Sequence, residues 1–586
     1  MQLPAFDPTD SEAGWRILED TTSIACHMQE QVLEEVLTKN ADTEYLKGFI
    51  DGQPDKELFK KKVPLVDYED IKPFIERIGN GEPSELISVE PITELIRSSG
   101  TSGGEQKMIP TTGEKSNRNA FFYNIAFAVL NKYIQGLKKG KRMYFLFMGP
   151  SNYTSGELVV RNAITSDFND KKLRNLSFNW LDVLTSHDEV ILCQDAQKSM
   201  YSQLLCGLVQ RHEVVRVGTT FASTFLRVIK YLEENWQQLC SDIRTGQISG
   251  WITDPNCRLA VSLILNKPMP DLADAIEVVY KGKSWEGTIK KLWPSTKLVE
   301  VIVTGSMAQY IPKLEFYCGG IPLVSLPYAC SEGLFGINMK PLCNPYDVSY
   351  TLLPHMAYYE FLPVDNHQSS NVHLEGGIVD LANVKIGQHY ELVVTTFTGL
   401  YRYRVGDILM VTDFNHNSPQ FKFVQRQQVV LSIDVDKTTE EDLFKAITKA
   451  MSIIEPLGFL LTDYTSYAEI SSIPSHYVLF WELQMKEGGS IPEPDMVKME
   501  QCCDVVEQSL DVMYRKLRNW RTLSPLEIRV VKPGTFNQLM DFFLSQGTSF
   551  SQYKTPKCIK SERAIKILNS SVVGRFSSKV LPKLPS

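Results

Sequence analysis

Between the strand-like run Glu94-Leu95-Ile96-Arg97 and the apolar Met108-Ile109-Pro110 lies Ser98-Ser99-Gly100-Thr101-Ser102-Gly103-Gly104-Glu105-Gln106-Lys107. Glycines let a backbone curl closely around a ligand, and the exposed N–H groups, hydroxyls and ammonium of such a loop suit a polyphosphate. Known phosphate loops open a helix with G-x-x-x-x-G-K-[ST] or G-x-G-x-x-G, and neither spacing is present. Pro110 lacks the N–H that a helix interior would use. The segment is therefore predicted to join two strands, with a phosphate site built from backbone and side chains and no helix dipole. Gly100-Thr101-Ser102-Gly103-Gly104 also satisfies the G-x-S-x-G nucleophile elbow, but that elbow runs directly into a helix.

On either side of this loop the pattern alternates between periods. Residues 10 to about 80 read as helical and polar, punctuated by Pro64 and Pro73. Phe122, Ile125, Ala126, Val129, Leu130 and Tyr133 recur with helical spacing, and Asn119 and Tyr123 share a neighbouring face. Helices at Ser199–Arg211 and around Phe225–Leu239 alternate with strands at Glu213–Val217, Leu298–Val303 and Leu323–Leu326, which predicts an α/β fold with ligands at strand ends. From Tyr390 the texture turns to strands: Tyr390–Thr396, Ile408–Thr412 and Phe421–Val424. Thr438 with Glu441 offers a capping box. After it the chain reads helix 439–451, strand 476–484, helix 495–518, strand 525–532 and helix 535–545, a smaller α+β unit. The expected division is 1–428, a hinge at 429–437, and a mobile domain at 438–586.

With 586 residues the chain is long enough for several cores. A net charge of −8 without long blocks argues against chain-wide binding to nucleic acid or an anionic membrane. No apolar run reaches the roughly 20 residues of a membrane span, and the first ten residues lack the basic and apolar regions of a secretory signal. A cytoplasmic monomer is expected. The 11 cysteines include no C-x-x-C pair and read as reduced, mostly buried thiols. Nine histidines lack ligand spacing, so no zinc site is expected.

Two further motifs follow strands. Tyr328-Ala329-Cys330-Ser331-Glu332-Gly333 offers an aromatic to stack on a base and a carboxylate to hold Mg²⁺. Tyr403-Arg404-Val405-Gly406-Asp407 ends in an aspartate able to accept both hydroxyls of a ribose. Either alone is weak, since a turn aspartate beside glycine is usually structural; their order along one chain is specific. Together with Ser98–Gly104 and Gln552-Tyr553-Lys554-Thr555-Pro556-Lys557, they resemble the motifs of the plant acyl-acid amido synthetases of the auxin-responsive Gretchen Hagen type, which belong to the adenylate-forming enzymes. The resemblance spans nearly the whole chain. Cys330 departs from the usual serine, Lys557 from a common arginine, and Gln425-Arg426-Gln427 from G-R-[KQ]. The helix 117–131 lacks the arginine-pair pattern of members acting on indole-3-acetic acid.

The resemblance implies an α/β architecture: a large N-terminal adenylate-forming domain with mixed sheets and a β-rich subdomain, hinged to a smaller α+β domain. It implies ATP and Mg²⁺, with nucleotide contacts from Ser98, Ser99, Gly100, Thr101, Ser102, Tyr328, Ser331, Glu332, Asp407 and Arg426. Glu332 would hold the metal. Lys554, brought in by the small domain, is the expected catalytic cation beside Glu332. The acyl pocket would draw on Asn119, Tyr123, Thr165, Thr304, Met356 and Tyr359. The reaction implied is conjugation of a small phytohormone-like or benzoate-like acid to an amino acid through an acyl-adenylate. An acyl-CoA ligase shares the first half-reaction; a serine hydrolase using Ser102 and a hormone-binding module without turnover are the rivals from other classes.

Overall fold

The computed structural model describes residues 3–4, 6–7, 10–98, 106–174, 183–281, 284–364, 377–426, 429–433, 436–486 and 495–584. Five helices, Ser11–Ser23, Ala25–Asn40, Glu44–Ile50, Lys56–Lys62 and Tyr68–Gly79, form the N-terminal layer. Pro64 separates two of them as expected, whereas Pro73 lies inside the last. The second helix buries Val32, Leu33, Val36 and Leu37. Its Gln29 side chain donates to the Ala357 carbonyl (2.7 Å) and accepts from the Tyr359 N–H (2.7 Å), tying the helix to the β-rich region.

The strands flanking the glycine loop, Glu94–Arg97 and Met108–Thr111, pair antiparallel with Arg97 opposite Met108. The chain then enters a helix, Gly113–Tyr133, capped by the Thr112 hydroxyl. The strands expected on either side are present, the helix begins only after the second of them, and the glycines between lie outside the described residues. A second sheet is wholly parallel, in the order Lys141–Tyr144, Val214–Phe221, Leu298–Ile302, Leu323–Val324. An eight-stranded antiparallel sheet spans Pro327–Cys330 through Ser418–Arg426, with Tyr403–Asn415 at its centre. Helix-strand alternation thus gives a parallel sheet buried on both faces, and the strand-rich middle gives the antiparallel one, each with its own apolar core.

The C-terminal unit has a four-stranded sheet, Phe459–Glu469, His476–Met485, Glu527–Val531 and Val572–Ser577. The first and last strands escape the sequence pattern. The cap of helix Glu440–Met451 is Thr439, whose hydroxyl accepts from the Asp442 N–H, one residue later than expected. The helix expected over 495–518 is two, Met496–Ser509 and Val512–Asn519, because Asp511 caps the second by accepting from the Tyr514 N–H. Cys502 and Cys503 are both buried and point apart, one thiol donating to Ala450 O and the other to Phe576 O. Among the described residues no helix is long and apolar enough to cross a membrane.

Candidate active site

Two cavities meet at the carboxyl ends of the parallel strands. The first, about 280 Å³, lies between helix Gly113–Tyr133 and the parallel sheet, lined among others by Phe122, Tyr123, Phe127, Ala329 and Ser331. The second, about 540 Å³, lies against the antiparallel sheet and is lined by Thr304, Gly305, Ser306, Tyr328, Asp407 and Phe423 among others. Phe221, Ile302, Pro327, Ala329 and Lys554 line both. Gly305 has φ +62°, and a Cβ there would lie 2.8 Å from the Phe423 ring, so glycine lets this rim approach closely.

Lys554 reaches the junction because its segment is anchored on either side. Phe550 packs edge-on to Phe147 with ring centroids 4.6 Å apart, and buried Tyr553 joins the core of the parallel sheet. On the far side, buried Lys557 donates to Asp463 Oδ1 (3.0 Å) and to the Tyr464 carbonyl (3.3 Å), while the Thr555 hydroxyl donates to Asp463 Oδ2 (2.5 Å). Between these anchors the Lys554 ammonium lies 4.3 Å from the Phe221 ring centroid. Lys557, expected as a charged counterpart of a family arginine, is engaged in holding this segment to the C-terminal sheet.

The second and third motifs converge on one contact. The Tyr328 hydroxyl donates to Asp407 Oδ2 (2.9 Å), and both residues are buried. Asp407 is presented by Gly406 at φ +84°, a conformation that favours glycine. The Arg404 guanidinium donates to Glu391 Oε2 (2.7 Å) and clamps its strand to the neighbouring one. Arg426 is described by its backbone alone, which pairs with that of Asp407. Thr304 shares a hydrogen bond with the Tyr350 hydroxyl (3.2 Å).

Ser99, Gly100, Thr101 and Ser102 lie outside the described residues. Ser98 closes the loop's neck: its N–H donates to the Lys107 carbonyl (2.8 Å) and its hydroxyl accepts from the Lys107 N–H (2.9 Å). The Lys107 ammonium donates to the Tyr403 hydroxyl (3.1 Å), coupling the first motif to the third. Ser331 and Glu332 form the turn between strands Pro327–Cys330 and Gly333–Ile337. Among the described residues Glu332 Oε2 is buried with no hydrogen-bond partner, a carboxylate that fits the binding of a cation. Burial, then the charges of Glu332 and Asp407, push the Cys330 thiol well above its usual range, so it is neutral and not a nucleophile.

The acyl assignments divide. Tyr123 lines the first cavity, and its hydroxyl donates to Asp167 Oδ2 (2.9 Å). Asn119 stands behind it, donating to Asp167 Oδ1 (3.0 Å). Thr165 is buried and accepts from the Gly149 N–H (3.0 Å). Met356 and Tyr359 belong to the core of the antiparallel sheet, where the Tyr359 hydroxyl donates to the Leu353 carbonyl (3.1 Å). Asn119, Thr165, Met356 and Tyr359 therefore do not line the cavity. The residues that sequence reasoning missed are Arg142, Arg216 and Glu300 on its wall. For two of them the signal was present: Arg216 and Glu300 are charges within apolar strands, in Val215-Arg216-Val217 and Val299-Glu300-Val301, whereas Arg142 ends the basic run Lys138-Lys139-Gly140-Lys141 and does not stand out.

Profiles of the GH3 family N-terminal, central and C-terminal domains match residues 15–323, 350–426 and 441–563. The chain is 54% identical to the indole-3-acetic acid-amido synthetase GH3.17 of Arabidopsis thaliana, over 99% of this chain and 98% of that one. It is 50% identical to the 4-substituted benzoates-glutamate ligase GH3.12 of the same plant, over 98% and 100%. The solved AtGH3.15 acyl acid amido synthetase in complex with 2,4-DB superposes over 100% of both chains with a TM-score of 0.93 at 50% identity. A 2-hydroxyisobutyryl-CoA ligase in the postadenylation state shares the fold, at 11% identity and a TM-score of 0.50 over 94% and 92%.

Proposed function

The chain belongs to the GH3 family of acyl acid amido synthetases, and from that premise we propose that it activates a phytohormone-like or benzoate-like acid with ATP and transfers the acyl group to an amino acid. The observation that carries the reading is the junction of two cavities at Lys554. A carboxylate is a poor electrophile, because its charge repels a nucleophile and oxide cannot leave. Adenylation removes both obstacles. An acid in the first cavity would present its carboxylate to the α-phosphorus of a nucleotide in the second; one carboxylate oxygen bonds to phosphorus and pyrophosphate departs. The Lys554 ammonium stands where negative charge accumulates.

Tyr328 and Asp407 would hold the adenosine, the aspartate by charge-assisted hydrogen bonds from the ribose hydroxyls. The loop from Ser98 to Ser102 would receive the phosphates. Glu332 would hold Mg²⁺, whose small coordination sphere tolerates one protein carboxylate with water and phosphate oxygens; the ion would supply charge neutralisation on the phosphates. In the second half-reaction the neutral amine of an amino acid attacks the acyl carbon and AMP leaves. Domain movement about residues 429–437 would withdraw Lys554 between the two steps. Incubation with ATP, candidate acids and amino acids tests the reading: AMP and an N-acyl amino acid are expected. Thioester formation with coenzyme A in place of the amide would overturn it in favour of an acyl-CoA ligase.

A further inference from the structure

The residue next to Lys554 is gripped from the large domain. Tyr553 is 1% exposed and joins the apolar core of the parallel sheet. The Arg227 guanidinium, from helix Ala222–Thr245, lies over its ring, 4.5 Å from the centroid. Arg227 Nη1 is buried without a hydrogen-bond partner among the described residues, as expected of a guanidinium engaged with an aromatic face and not with an acceptor. The same helix is entered directly from strand Val214–Phe221, and the ring of that strand's last residue lies with its centroid 4.3 Å from the Lys554 ammonium. One strand-helix junction therefore holds Tyr553 and Lys554 together, the first through Arg227 and the second through Phe221.

The backbone of Tyr553 is extended, with φ −62° and ψ 122°. In an extended chain successive side chains leave on opposite sides, so the seat of the Tyr553 ring sets the direction from which the Lys554 side chain starts. That seat is open on one side. Arg227 also lines a cavity of about 620 Å³ between its helix and the C-terminal sheet, with Lys313, Asp463 and Glu482 on the same walls. Without the guanidinium, the ring borders that gap, loses its contacts there and is free to tilt. A positioned group displaced by about 1 Å can lose about a hundredfold in rate. Arg227 is not among the residues lining either active-site cavity. Resting on the adenylating reading above, we propose that Arg227 is a positioning residue for acid activation, holding Lys554 at the reacting phosphate through Tyr553 while touching neither acid nor nucleotide. The amide-forming step, from which Lys554 is withdrawn, does not depend on it.

The two half-reactions, measured separately on the full-length protein, test it. Acid-dependent exchange of pyrophosphate into ATP, with 4-hydroxybenzoate and indole-3-acetate as the acids, reads the first. Amide formation from the corresponding synthetic acyl-adenylates and mixed amino acids reads the second. Arg227→Met keeps the length of the side chain without its charge; it should lower kcat for exchange about thirtyfold while leaving KM for ATP and the rate of amide formation within about twofold. Arg227→Lys keeps a cation over the ring and should recover most of the lost rate. Equal losses in both half-reactions, a loss carried by KM, exchange unchanged in Arg227→Met, or a lysine variant as slow as the methionine one would each overturn the proposal and leave the adenylating function standing. A wild type that exchanges pyrophosphate with neither acid would instead overturn the adenylating reading, and this proposal with it.

Discussion

Asp407 and Tyr328 show how a residue's role depends on a partner far away in sequence. The hydroxyl of one meets the carboxylate of the other at 2.9 Å, so the two short motifs form a single buried feature. If that aspartate holds a ribose, Asp407→Ala loses hydrogen bonds to a charged acceptor, each worth about 1.5–3 kcal/mol. KM for ATP should rise roughly ten- to a hundredfold. Tyr328→Phe keeps the carboxylate and removes one donor to it, and should cost about 1.5 kcal/mol, or roughly tenfold, the low end of that range. Initial-rate kinetics with varied ATP distinguishes the two, and equal effects would contradict the assignment. The second and third motifs stand out in the sequence because glycines, aspartates and aromatics in that order have few other uses, and the structure brings Tyr328 and Asp407 together. Tyr359 and Met356 pack in the core of the antiparallel sheet, and the sequence does not tell this from a place on a cavity wall, because an apolar side chain reads alike in both.

Among the elements, the segment from Phe550 to Lys557 matters most, since it carries one cation between two anchors. Its inner anchor is aromatic and its outer one ionic, with Lys557 and Thr555 both donating to Asp463. Lys557→Met would leave the Asp463 carboxylate buried without its counter-ion, a change that costs about 3–5 kcal/mol. Hydrogen exchange should show loss of protection concentrated in residues 553–558 and strand Phe459–Glu469, with slower adenylation as the cation loses its placement. An unchanged exchange pattern would show that the ion pair does not anchor the segment. This anchor also explains the missed strand. Asp463 inside Phe459–Glu469 reads as a turn signal until Lys557 and Thr555, more than ninety residues later, supply its partners. Periodicity found the helices and the central strands, but long-range ion pairs leave no local pattern.

For the whole molecule, the question is how the small domain is joined to the large one. The connection runs through the hairpin Val429–Ile433 and Asp436–Thr439. Within it Asp436 is buried and accepts from the Tyr477 hydroxyl, and burial pushes its carboxyl up to about 7. The folded state therefore binds this proton more tightly than the unfolded one. Its stabilising contribution is complete below about pH 4 and is lost as pH rises to about 7, above which the cost is constant. Asp436→Asn keeps an acceptor for Tyr477 without the charge, and should raise unfolding stability at pH 8 by about 4 kcal/mol and hardly at all at pH 4. Denaturant titration at both values reads the difference; equal gains would deny the shift. The two-unit organisation itself was legible from the change of texture near Tyr390 and the cap near Thr438. The docking of Met540, Phe550 and Tyr553 onto the core of the parallel sheet was not, because it rests on contacts such as Phe147 with Phe550 that only the folded chain brings together.

The meeting of both cavities at one lysine is tested most directly by acid-dependent exchange of pyrophosphate into ATP, measured for the wild type and for Lys554→Ala with circular dichroism to check the fold. Exchange that requires the acid and falls at least a hundredfold in the variant is expected. Exchange of equal rate in the two proteins would contradict the placement of Lys554 at the reacting phosphate.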